Sequence, residues 1–227
     1  MKSSFQSIYE SAIARKGEEG LAALLPLPKS KTEMQATPDA SFLEEMTRCV
    51  FRSGFAWKTI DNKWPNFRKV FAEFNPKVVA NFSDERLESI AQDPSIIRYY
   101  AKVLVTRENA AFVMDIAREH GSFGQFIAEW PEDDLIGLLL FLKRVGSRLG
   151  GHTGQYFLRL VGRDTFIFSS EVVRVLIAEG VIDKEPTSKS GLKAVQDAFN
   201  DWREETGLPY CQLSRIMAAS VPDSLVP

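Results

Sequence analysis

Helix starts and stops recur along this sequence, and they leave little room for any architecture but a helical one. "PEDDLIGLLLFLKRVG" (131–146) places Pro131 and three acids before an apolar run and Lys143 and Arg144 behind it, as a helix dipole favours. "SDERLESIAQ" (83–92) opens on Ser83 as an N-cap, carries acids in its first turn and spaces Leu87 and Ile90 for one face. In "SFLEEMTRCVFRSGFAW" (41–57), Ser41 with Glu44 three residues on reads as a capping box. Phe42, Leu43, Met46, Val50 and Phe51 follow near the 3.6 period. A longer helix is expected from Pro94 to a stop at Gly121, and two more at 190–207 and 210–221. Only "DTFIFSSEVVRVLI" (164–177) is ambiguous between strand and helix, and 17–40, with its prolines and glycines, is expected to be loop-rich. The predicted fold class is all-α. Three parts are expected: an N-terminal extension (1–40), a helical core containing a hairpin (41–165), and C-terminal helices completing the fold (166–227).

Several function classes fall away on composition. With 44% hydrophobic and 26% charged residues in 227, the chain has the balance of an ordinary soluble domain. Its longest apolar run, "LIGLLLFL" (135–142), is too short to cross a bilayer, so no membrane partner is expected. The N-terminus lacks the apolar core of an export signal, and two cysteines make no disulfide framework, so reduced thiols and a cytoplasmic location are expected. His120, His152, Cys49 and Cys211 show no paired ligand spacing, so neither metal nor cofactor is expected. No P-loop, nucleophile elbow or dinucleotide fingerprint is present.

Net charge is −2, which exerts no general pull on nucleic acid, but the distribution is uneven. From Leu135 to Arg163 there is no acid, while Lys143, Arg144, Arg148, Arg159 and Arg163 are basic. Inside this stretch, "RLGGHTGQYFLRLVGR" (148–163) reads as a helix end, a Gly-Gly turn and a new helix. Exposed amides at such a turn suit a phosphate oxygen, and flanking cations add counterion release; a tight helix–helix corner would need the same glycines for geometry only. A second constellation is "FRSGFAWK" (51–58), where Phe55 and Trp57 straddle Gly54 between Arg52 and Lys58. Aromatics beside a basic helix end can stack on an unpaired base, or can be core anchors. Trp64, Phe67, Phe71 and Phe74 lie at helical spacing and read as core.

These segments resemble a known family. Phe74-Asn75-Pro76 with Val79-Ala80, then Gln92-Asp93, Ile96-Ile97-Arg98 and Asn109-Ala110, are similar to the F-D-P-x-x-V-A, Q-D-x-x-I-I-R and N-A elements of DNA-3-methyladenine glycosylase I. Ser53-Gly54-Phe55-Ala56-Trp57 is similar to that family's A-G-L-S-W. Arg148-Leu149-Gly150-Gly151-His152 resembles its hairpin F-V-G-T-T, with Tyr156-Phe157 on the following helix. The resemblance spans roughly 40–165.

What the resemblance implies is a helix-hairpin-helix DNA glycosylase fold, two helical lobes with a base pocket in the cleft between them. Such enzymes extrude a damaged base from double-stranded DNA and cut its bond to deoxyribose. By this likeness Trp57 would be the stacking wall, Phe55 the wedge left in the duplex, and Arg148, Gly150, Gly151, His152 and Thr153 the grip on the DNA backbone. The departures matter. The family's purine-binding glutamate falls at Cys49, which cannot accept hydrogen bonds as a carboxylate does. Glu45 lies one turn earlier on the same face and is the candidate catalytic acid, with Cys49 and, from the N-terminal extension, Tyr9 as candidate base-binding residues. The family's zinc clasp is absent, since no cysteine precedes Cys49 and no histidine precedes His120. The superfamily's aspartate after the hairpin helix is replaced by Ser169 and Ser170, with Glu171 nearby.

The function expected is therefore excision of an alkylated base such as 3-methyladenine by a monomer. The alternative is a non-catalytic relative that binds DNA or recognises damage, and beyond it a helical interaction protein whose hairpin is only a corner. The glycosylase reading requires Trp57 to line an open pocket beside the hairpin.

Overall fold

The computed structural model describes residues 4–222, and among these there is no strand. Fourteen α-helices follow one another: α1 (Gln6–Lys16), α2 (Glu18–Ala22), α3 (Lys31–Gln35), α4 (Asp39–Arg52), α5 (Trp57–Val70), α6 (Pro76–Val79), α7 (Asp84–Gln92), α8 (Tyr100–His120), α9 (Phe123–Glu129), α10 (Leu135–Val145), α11 (His152–Val161), α12 (Ser170–Ala178), α13 (Lys189–Thr206) and α14 (Tyr210–Ser220). None is long and apolar enough to cross a membrane. The chain divides into two compact units. One gathers the described residues up to Pro28, Pro131–Gly137 and those from Asp164 onward; the other is Lys29–Trp130 with Leu138–Arg163.

In the first unit α1 packs on α14, and α12 and α13 pack on α14 as well. Side chains distant in sequence cap the helix starts. Glu205 accepts the Phe5 amide at 3.1 Å, and Asp164 accepts the Tyr210 and Cys211 amides at 3.0 and 2.8 Å. Burial of Phe166 against Phe199, ring centroids 4.3 Å apart, anchors the middle. The ambiguous stretch at 164–177 resolves into an extended lead and α12, capped by Ser169, whose Oγ accepts the Val172 amide.

In the second unit α4 is central. Its apolar stripe, Phe42, Leu43, Met46, Val50 and Phe51, is buried, and it packs on α8 and α11. Each such large side chain contributes about 1.5–3 kcal/mol of burial. Trp64, Phe67, Phe71 and Phe74 are core as expected, stacked at 4.9, 6.3 and 5.6 Å between successive centroids. Closing this stack forces Ala72, Glu73 and Phe74 into left-handed backbone at φ 50–56°. Such conformations cost about 1–2 kcal/mol per residue, offset here by sealing Phe71 and Phe74 from water.

Three local expectations are corrected. The 17–40 region is not loop-rich throughout: α2 and α3 form within it, α3 beginning at a capping box of Ser30 and Glu33. Helix α4 starts at Asp39 after Pro38, leaving Ser41 inside it and Glu44 free to accept the Trp64 indole N–H at 2.7 Å. Helix α8 starts at Tyr100, not Pro94. Residues 93–99 are held as a loop by Ser95 N donating to Asp93, Lys63 donating to the Pro94 carbonyl, and Asn66 donating to the Ser95 carbonyl.

Candidate functional site

The second unit contains a pocket of about 270 Å³ lined by Cys49, Arg52, Ser53, Gly54, Trp57, His152, Thr153, Tyr156 and Leu160. Three chain segments build it: the end of α4, the turn into α5, and one face of α11 from His152 to Leu160. The α4–α5 turn is possible because Gly54 sits at φ +80°, a conformation that costs a side-chain-bearing residue. Lys102 of α8 fastens this turn from beneath. Its buried ammonium donates to the Phe51 carbonyl at 3.2 Å and to the Ser53 carbonyl, satisfying acceptors that the end of α4 leaves open. Burial, and then the charge of Arg148, hold the Lys102 pKa below the usual lysine range.

The turn delivers Trp57 to the pocket as the first residue of α5, 44% exposed. The Arg52 guanidinium covers the ring at 4.6 Å from the centroid, and Tyr156 meets it in a T-shaped contact at 5.1 Å. Asp61, one turn along α5, orients Arg52 by accepting from it at 2.6 Å. Arg52 is the one permanently charged side chain among the lining residues. It brings hydrogen-bond donors to the pocket, and no carboxylate lines it.

The opposite side is the corner between α10 and α11. Asn109, fully buried on α8, donates to the Ser147 carbonyl at 3.0 Å and accepts the Ser147 amide at 2.8 Å, pinning the corner to the core. Arg148 takes left-handed backbone at φ 55°, and Gly151 at φ 57° forms the N-cap of α11. A Cβ on Gly154 would meet the Leu149 carbonyl at 2.4 Å, so the corner closes only over glycine. The first turn of α11 carries no acid and no side-chain cap, leaving its positive dipole end uncompensated by carboxylates of its own.

Cys49 forms the floor side of the pocket at 5% exposure. Burial, with the charge of Glu45 adding to it, pushes its thiol pKa up to about 12, so a neutral thiol stands there. Glu45 does not line the pocket. It lies behind Cys49, with one carboxylate oxygen buried 3.4 Å from the Arg48 guanidinium and without a hydrogen bond from the protein. Burial raises its pKa against the opposing pull of Arg48.

The sequence-derived candidates thus separate. Trp57, Cys49, His152 and Thr153 come together. Arg148, Gly150 and Gly151 lie in the corner beside them. Phe55, 37% exposed, packs its ring 4.6 Å from the Lys102 ammonium and does not line the pocket. Tyr9 is exposed on α1, in the first unit, whereas every lining residue belongs to the second. Arg52 and Tyr156 were legible only as a basic flank and an aromatic helix. Asp61 carried just the weak signal of standing four residues after Trp57, and Lys102 carried none. Among the described residues no three His, Cys, Asp or Glu side chains gather as metal ligands do.

The all-helical fold is similar to that of solved DNA glycosylases. The solved structures bear this out as a fold. The 8-oxoguanine DNA glycosylase of Methanocaldococcus jannaschii superposes with a TM-score of 0.55 at 17% identity, over 92% of this chain and 89% of that one. The 3-methyladenine DNA glycosylase I of Staphylococcus aureus gives 0.51 at 20% identity, over 63% of this chain and 82% of that one. Residues 34–136 match the family model described as methyladenine glycosylase. DNA-3-methyladenine glycosylase 1 of Escherichia coli K12 is 30% identical over 76 residues, which are 34% of this chain and 41% of that protein. The match therefore spans about two-fifths of that curated relative's length.

Proposed function

We propose that the chain is a DNA glycosylase of base-excision repair, extruding an alkylated base such as 3-methyladenine from duplex DNA and releasing it. The observation that carries this reading is a half-exposed Trp57 opening onto the same pocket as the first turn of α11. An indole face offers stacking to an extruded base, and the helix N-terminus beside it, with no acid in its first turn, offers a favourable dipole end to the phosphate that follows it. Arg148, Gly150, Gly151, His152 and Thr153 hold the backbone in this reading, and Phe55 enters the vacated stack.

The chemistry asked of the protein is modest. An N3-methylated adenine is cationic in the nucleotide, so its bond to deoxyribose is already weak, and departure moves positive charge from base to sugar. Trp57 holds the departing base. Glu45, behind the Cys49 wall, is the acid whose negative charge favours the developing sugar cation and the attacking water. Cys49 supplies a neutral, tightly packed surface in place of a carboxylate. The protein works in this reading as a cytoplasmic monomer without a cofactor. Methylated DNA incubated with the protein should release 3-methyladenine detectable by chromatography; no base above the protein-free background sinks the reading.

A second reading has its own support, since no carboxylate lines the pocket. A damage-binding relative without chemistry would bind DNA in a salt-sensitive way, weaken on Arg148 or His152 substitution, and release nothing.

A further inference from the structure

Next to the pocket, the α4–α5 turn and the start of α8 present a pair of exposed rings. Phe55 and Tyr99 are 37% and 43% exposed, and among the described residues neither packs on another aromatic ring. Both converge on one buried ammonium: Lys102 Nζ lies 4.6 Å from the Phe55 centroid and 5.6 Å from the Tyr99 centroid. Rings held by a cation that is itself anchored to the Phe51 and Ser53 carbonyls are not free to collapse onto the surface. Tyr99 is also fixed through its backbone. It is the extended N-cap residue of a 21-residue helix, and its carbonyl accepts the Lys102 and Val103 amides at 3.0 and 3.1 Å.

The setting matches a nucleic acid rather than a protein partner. Ser53 and Gly54 of the same turn line the pocket, so Phe55 adjoins it, and Tyr99 is tied to that turn through Lys102. The exposed Arg148 is close enough for its charge to bear on Lys102, placing a phosphate-pairing cation alongside. Extruding a nucleotide leaves two bare surfaces in the duplex, the gap in its own strand and the base opposite, which has lost its partner. One ring is already accounted for by the gap.

We propose that Tyr99 is a second DNA-contacting ring, stacking on the base left unpaired opposite the extruded nucleotide. This rests on the glycosylase reading above. A base–aromatic stack of ordinary strength corresponds to about a tenfold or greater change in affinity.

The test places 2-aminopurine opposite a tetrahydrofuran abasic-site analogue in a duplex and follows its fluorescence with added protein. The wild-type protein should bind this DNA more tightly than intact duplex and quench the probe. Tyr99→Ala should bind it about tenfold more weakly and leave the probe bright, with its affinity for intact duplex and its thermal midpoint unchanged. Tyr99→Phe should restore the quench, which a merely structural role would not require. Equal quenching by wild type and Tyr99→Ala overturns the assignment of Tyr99 while leaving the glycosylase reading intact. A wild-type protein that binds abasic-site DNA no better than intact duplex overturns both.

Discussion

The Arg52 guanidinium lies 4.6 Å above the Trp57 ring and is tied by Asp61 at 2.6 Å. The arrangement covers one face of the indole with a cation and brings hydrogen-bond donors to the pocket that Trp57 lines. No carboxylate lines this pocket, and Arg52 brings it donors.

Trp57 is therefore the side chain whose loss should cost most in turnover and least in folding. Trp57→Ala removes a stack worth about 1–3 kcal/mol, and single-turnover base release should fall about 10–100-fold. The ring is nearly half exposed, so the thermal midpoint should stay within about 2 °C. Retained release with Trp57 truncated would remove the indole from the mechanism.

Asp61 tests the Arg52 arm separately. Its carboxylate is 41% exposed, so the ion pair contributes about 1 kcal/mol or less to stability. Asp61→Asn should leave urea denaturation nearly unchanged and still raise KM for damaged DNA, because Arg52 loses the partner that orients it. A change in stability with KM untouched would contradict this.

Asn109 should behave in the opposite way. Asn109→Ala leaves the Ser147 amide and carbonyl without their side-chain partner, at about 1–3 kcal/mol for each buried group that finds no other. The urea midpoint should drop clearly, and DNA affinity should fall with it as the corner loosens. Intact DNA binding in a destabilised Asn109→Ala protein would separate the corner from the DNA.

Glu45 links pH to both stability and turnover. Its folded pKa is raised above the ordinary 4.5, so the folded protein binds this proton more tightly than the unfolded chain does. The stability contributed by that proton is full below 4.5 and is lost as pH rises through the raised value. Glu45→Gln should accordingly raise the thermal midpoint at pH 7.5, with the difference from wild type shrinking as the solution is acidified. The same substitution should slow base release, and wild-type release should itself fall as Glu45 protonates. Stability gained with turnover unaffected would leave Glu45 a structural acid only.

Cys49 should be chemically quiet. With its thiol raised to about 12 and both cysteines buried, the native protein should react with a disulfide reagent at pH 8 far more slowly than the urea-unfolded chain. Rapid modification of native protein would mean that the pocket floor opens.

Much of the fold was legible because its signals are local. Ser83, Gly121 and the dipole-matched charges around 131–146 act on their own helix, and the stack from Trp64 to Phe74 follows from spacing. The misread starts were places where distant partners outweighed local signals. Ser41 lost the cap because α4 begins earlier, while Glu44 found the Trp64 indole 20 residues away. Pro94 lost its helix because Lys63 and Asn66 hold the following carbonyls in a loop.

The site divides in the same manner. By itself the amino-acid order determined an all-helical chain, a core of spaced aromatics and a glycine corner flanked by cations, since period, caps and φ preferences act within a few residues. Only the tertiary structure decided that Trp57 and His152 share one pocket, that Arg52 and not an acid faces it, and that Lys102 holds two rings beside it. Those neighbours lie tens of residues apart, and their meeting depends on buried polar contacts, Asn109 to Ser147 and Lys102 to Phe51, that no local pattern encodes.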